Sequence, residues 1–128
     1  MADYTPIYSG GVVPFTATTS AIVSAGRVVK VSADGTVAHG AAGTDTTCLG
    51  VAASDAASGA KVSVWPLANC VHELTALATI TAGDGVVAAA GGAVATAAIA
   101  TAAAAGTLIG VATTTRTGAG TVRVMGRY

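Results

Sequence analysis

The run Asn69-Cys70-Val71-His72-Glu73 gathers more reactive side chains than any other stretch of this chain. On an extended backbone Cys70 and His72 share one face and Glu73 lies across the pleat. With Cys48 and His39, they would supply the two thiolates and two imidazoles of a zinc site. Their spacing matches no Cys-x-x-Cys pattern, and a reduced core cysteine beside a surface histidine explains the run more simply. Asp34 and Asp84 each precede a glycine and read as turn residues rather than acid/base groups. The chain contains no Gly-x-Ser-x-Gly elbow, phosphate loop or dinucleotide-binding glycine pattern. The chain therefore reads as a non-enzyme, with no metal and no cofactor. Cys48 and Cys70 read as separate reduced thiols, although spacing alone leaves a disulfide open.

Composition narrows the class further. Ala (31), Thr (19), Val (17) and Gly (17) make up 84 of the 128 residues. Only 9% of residues are charged, six basic against six acidic, where an ordinary soluble domain has roughly 25%. Low charge with high hydrophobicity excludes a disordered chain. Six scattered basic residues also make no phosphate-binding surface, so nucleic acid is not an expected partner. A surface so poor in charge favours association and implies that a partner covers part of it. No membrane contact is expected: Met1 to Gly11 lacks the basic and apolar regions of a signal peptide. The charge-free segment 85–107 has the length of a span, but its apolar residues are mostly alanine and no aromatic or lysine belt flanks it.

The elements that must position these residues repeat. Ala25 to Val37 aligns with Ala82 to Val94 at an offset of 57, while Leu49 to Ala52 and Gly59 to Val64 align with Ile109 to Ala112 and Ala119 to Val124 at an offset of 60. Each copy reads as a Val-rich strand, a Gly-marked turn, a loop, a Gly-Val-Ala strand and a final alternating strand. The expected fold is mainly β, a small barrel or sandwich built from two similar repeats of about 25–74 and 82–125, within one domain over 21–128. Pro66 should end one strand near Trp65, with another from about Asn69 to Leu74. At most one short helix is expected near 95–105, bracketed by Gly91-Gly92 and Gly106.

Recognition chemistry sits at the ends. Of the five aromatic residues, Tyr4, Tyr8 and Phe15 fall within the first fifteen positions, Tyr128 is last and only Trp65 is internal. Residues 1–20, with Pro6, Pro14 and Gly10-Gly11, read as an extended arm outside both repeats. Tyr4, Pro6, Tyr8, Val12, Val13 and Phe15 are its candidate contacts with another protein; the alternative is that Phe15 and one tyrosine merely seal their own barrel. Trp65, Arg123, Arg127 and Tyr128 are the candidate subunit interface, with a solvated terminal strand as the alternative for the last three.

The run from Val31 to Leu74, with its Asp-Gly-Thr turn, Gly/Ala loop, Leu49-Gly50-Val51-Ala52 strand and alternating strand, resembles the capsid decoration (cement) proteins of tailed bacteriophages. Among them are the lambda-type head-stabilising proteins and a wider group of small Ala/Gly-rich cement proteins. The resemblance spans about residues 25–125. It implies a β-rich virion protein on the outer capsid surface, binding the major capsid protein through its N-terminal arm. It also implies self-association, as a homotrimer at threefold or quasi-threefold positions, and no catalytic residues. This chain departs from the lambda type in its second complete copy and its bland Ala loop. A tail, fibre or host-surface adhesion module displaying Thr113 to Thr117 is the alternative function.

Overall fold

The computed structural model describes residues 3–127 and contains ten strands, one 3-10 turn and one α-helix. They form two closed five-stranded barrels in tandem. The first contains β1 (Phe15–Thr19), β2 (Val28–Ala33), β3 (Thr36–His39), β4 (Cys48–Ala52) and β5 (Lys61–Pro66) in the order β1-β3-β2-β4-β5. The second contains β6 (Val71–Ala76), β7 (Gly85–Ala88), β8 (Val94–Ala97), β9 (Gly110–Ala112) and β10 (Gly120–Gly126), with α1 (Ile99–Ala105) between β8 and β9. Its order, β6-β8-β7-β9-β10, repeats the first one strand for strand. In both barrels only the β1–β3 type of pairing is parallel.

The register makes the equivalence residue by residue. Thr19 faces Val37 as Ala76 faces Val94, and Phe15 faces Val64 as His72 faces Val124. The offset is 57 through the first three strands and 60 through the last two, so the extra three residues fall where α1 stands. The mainly β, doubled barrel read from the sequence is thus the observed fold. Its copies begin earlier than the expected 25 and 82. β1, expected in the arm, opens the first barrel, and β6, expected to end the first copy, opens the second. A five-stranded barrel closes only when its first strand pairs with its last, and Phe15 to Thr18 pair with Val64 to Lys61.

Period-2 alternation aims the core. Val62 and Val64 with Val29, Val37 and Ala52 fill the first barrel, and Val122 and Val124 with Leu74, Val86 and Val94 fill the second. Val28 and Val51 point outward from the first barrel, yet are fully buried because they join the second barrel's cluster. The Gly-Val-Ala strands need their glycine. A Cβ at Gly50 would run into the Trp65 carbonyl, and one at Gly110 into the Met125 carbonyl, so the neighbouring strand approaches closer than any side chain permits.

Helix α1 has no charge and ends at Gly106, whose φ of 75° supplies the left-handed cap. Ala102 is its buried residue and packs with Val87 and Leu108 over the outside of the second barrel. No helix among the described residues is long and apolar enough to cross a membrane.

Candidate interaction surface

The two halves of the Asn69–Glu73 run go different ways, and neither becomes a reactive site. Cys70 is buried and its thiol donates to the Ser9 carbonyl at 3.8 Å. Burial raises its pKa; burial likewise pushes Cys48 up to about 11, with the Asp45 charge adding to the rise. Both thiols are free and stay protonated, which makes them poor nucleophiles and poor metal ligands. His39 is on β3 and accepts a hydrogen bond from the Ser24 N–H at 2.9 Å, so it joins neither cysteine. Among the described residues no three His, Cys, Asp or Glu side chains group as metal ligands.

His72, expected at the surface, instead points into the second barrel with no exposed surface, because it falls on the inward face of the alternating strand β6. Its Nε2–H donates to the Pro66 carbonyl at 2.9 Å, which leaves Nδ1 as an acceptor for the Tyr4 hydroxyl at 2.8 Å. The same hydroxyl accepts the Glu73 N–H at 3.2 Å, and the two rings stack with centroids 5.9 Å apart. Donor and acceptor thus alternate along the whole chain of bonds, and every member is satisfied with a neutral imidazole. Burial lowers the His72 pKa below its usual value, only partly offset by the bond to Pro66. Burial also raises the Tyr4 phenol well above its ordinary range.

Tyr4 is consequently committed to its own fold. Its N–H donates to Ala53 at 2.6 Å and its carbonyl accepts the Trp65 indole N–H at 3.2 Å, both on the first barrel, while its hydroxyl serves the second. Four residues on, Tyr8 and Val71 exchange backbone bonds, at 2.8 Å from the Val71 N–H and 3.3 Å from the Tyr8 N–H. The extension is a strap across the two barrels. Sequence reasoning missed this role, although an inward-facing histidine on an alternating strand already demands two buried partners.

The other candidate residues divide by exposure. Pro6 and Val12 are half-buried, whereas Ile7, Tyr8 and Val13 are 50%, 60% and 74% exposed. Phe15 lies on β1 at the mouth of the first barrel, 39% exposed. Trp65 faces the strap rather than solvent. Arg123 lies opposite Glu73 across β10 and β6, with 3.7 Å between charged atoms on a half-exposed face, a pairing that contributes little to stability. Arg127 is exposed, and Tyr128 lies outside the described residues.

A shallow groove of about 390 Å³ runs between residues 43–46 and α1, lined by Gly, Ala, Val and Thr. A second, of about 210 Å³, opens at the mouth of the first barrel beside Phe15, Val31 and Leu49. Neither lining carries a charge. Such surfaces suit contact with another apolar protein surface and offer nothing to hold an ionic substrate.

Comparison with known proteins bears on what that partner is. A family model described as phage cement protein matches residues 7–127. Among solved structures, the head fiber gp8.5 N base of bacteriophage phi29 shares the fold with a TM-score of 0.68, 23% identity, and coverage of 90% of this chain and 93% of that one. No match is found among curated proteins.

Proposed function

Because the chain belongs to the phage cement protein family, and is thus a structural, virion-associated phage protein, we propose that it decorates the outside of the expanded head. In this reading it binds the major capsid protein through its N-terminal extension, as a homotrimer at threefold or quasi-threefold positions. The observation that carries the reading is the placement of Ile7, Tyr8 and Val13. Three large apolar side chains stay exposed, Ile7 and Tyr8 on a stretch whose backbone is bonded to Val71 of the second barrel and Val13 two residues before β1. Residues ordered before binding lose little entropy on docking, so even modest apolar contacts yield net affinity. Replicated over a shell, each contact need not be tight.

The test uses point changes, because truncating the extension would also remove Tyr4 from its socket. The triple variant Ile7→Ser, Tyr8→Ser, Val13→Ser should keep the wild-type melting temperature and lose co-sedimentation with expanded capsids. Undiminished binding overturns the assignment. Recovery of the native protein with tails rather than heads would favour the tail or fibre alternative instead.

A further inference from the structure

The two barrels meet through one interface, and each half of that interface recurs elsewhere on the molecule without a partner among the described residues. In the interface, a wall of the first barrel seals the mouth of the second. The wall is the cross-strand row Val28, Val51 and Trp65, in which Val28 and Val51 pack in the second barrel's cluster and Trp65 reaches it through the Tyr4 strap. The mouth is made by His72, Ala88, Gly92 and Ile109, with exposures of 0% for His72, 2% for Ala88 and 1% for Ile109. The closeness is backbone-deep: the Gly92 N–H donates to the Gly40 carbonyl at 2.8 Å, and a Cβ on Gly92 would meet the Val28 carbonyl at 2.8 Å.

By the offsets of 57 and 60, the counterparts of those mouth residues on the first barrel are Phe15, Val31, Gly35 and Leu49. They line the uncharged groove described above, with Phe15 39% and Val31 42% exposed. The counterpart of the wall on the second barrel is the row Gly85, Val111 and Met125, paired across three strands in the same way. Gly85 lacks the side chain that Val28 presents, and α1 restores it. Ile99 Cγ1 lies 3.0 Å from where a Gly85 Cβ would stand. Ile99, Val111 and Met125 thus rebuild an uncharged apolar row, with Ile99 38% and Met125 40% exposed.

We propose that the wall formed by Ile99, Val111 and Met125 of a second copy of this chain seats in the mouth formed by Phe15, Val31 and Leu49. The occupant follows from the fold itself: the same kind of mouth already takes the same kind of wall inside each protomer. The contact is head-to-tail, each copy using one surface to receive and another to insert, and such contacts close into a ring when the rotation between copies permits. It deepens the self-association in the function proposed above and is independent of capsid binding, since it is read on the isolated protein.

The experiment measures mass in solution by light scattering for the wild type, Val31→Glu and Met125→Glu. The wild type should be a closed oligomer. Each variant should be a monomer, with association weakened more than about tenfold by a charge buried in an apolar contact. An equimolar mixture should form a heterodimer and stop there. Val31→Glu keeps an intact wall and Met125→Glu an intact mouth, so only one sound contact can form. Both positions are partly exposed, and near-ultraviolet dichroism of Trp65 reports whether each variant folds. Where Val31→Glu does not, Val31→Thr replaces it, with a several-fold weakening expected. A monomeric wild type, oligomers that persist in both variants, or a mixture that stays monomeric each overturn the proposal. So does a Val31→Glu protein that keeps its oligomer but no longer binds capsids, which would assign the mouth to the capsid protein.

Discussion

Replacing Tyr4 with phenylalanine removes one oxygen atom and leaves the ring in place, so it isolates the polar half of the strap. That oxygen donates to His72 Nδ1 and accepts the Glu73 N–H. Without it the acceptor nitrogen of a fully buried imidazole has no partner, and such orphaned groups cost about 1–3 kcal/mol each. The Glu73 N–H lies on a half-buried residue and recovers part of its loss from water. The sum is about 2 kcal/mol, or a melting temperature lower by about 8 °C for a chain of this size. pH then separates this account from a mere loss of packing. Burial holds the folded-state His72 pKa below the ordinary 6.5. Above about 6.5 its contribution to stability is fully present; as pH falls toward the folded pKa the unfolded chain binds the extra proton, and up to about 1.4 kcal/mol is lost per pH unit. The Tyr4 hydroxyl bonds the neutral imidazole, so Tyr4→Phe lets the folded pKa climb back toward 6.5. The stability gap between wild type and variant should therefore be widest near pH 8 and narrow toward about pH 5, followed by thermal unfolding with circular dichroism. Equal melting temperatures near pH 8, or a gap independent of pH, would refute the network as described.

Glycine and alanine substitutions probe the barrels. Gly50→Ala or Gly110→Ala should cost about 3 kcal/mol or more, because the added methyl meets a backbone carbonyl of the adjacent strand. Gly59→Ala, with a left-handed φ of 82° but open space around its Cβ, should cost only about 1 kcal/mol, and urea titration separates the two. Ala102→Leu should destabilise by about 1–3 kcal/mol through overpacking against Val87 and Leu108. Ala103→Leu on the exposed face of α1 should leave the unfolding midpoint within about 0.5 kcal/mol of wild type.

Much of this architecture was legible because strands announce themselves by alternation and turns by glycine. The pairs Val62/Val64 and Val122/Val124, the two Gly-Val-Ala strands and the Ala run closed by Gly106 all fold as their chemistry dictates. What stayed hidden was anything set by contacts distant in the chain. β1 and β6 are equivalent, yet Phe-Thr-Ala-Thr-Thr and His-Glu-Leu-Thr-Ala share a single matched residue, Thr18 with Thr75. No repeat search on such strands finds the match, so the sequence alone assigns β1 to the arm. The sequence alone offers Tyr4 to another protein, because nothing local ties it to a histidine 68 positions away.

The divergence of β1 from β6 has a physical cause. An interior position in a sealed mouth can hold an imidazole only if both nitrogens are bonded, and His72 obtains Tyr4 and Pro66 because the strap and the first barrel close over it. Among the described residues the same position in the open mouth has no strap above it, so a buried polar network is not completed there and an apolar ring, Phe15, stands instead. The walls differ as well. Gly85 stands on the outer wall where Val28 stands on the inner one, and the three extra residues of the second copy fall where α1 places Ile99 over it. Two equivalent copies within one chain would carry identical faces and pair without discrimination. One polar, strapped junction beside one wholly apolar mouth and wall makes the intramolecular contact distinct from any contact between chains. The bland alanine segment is the element that sets the outer wall apart from the inner one.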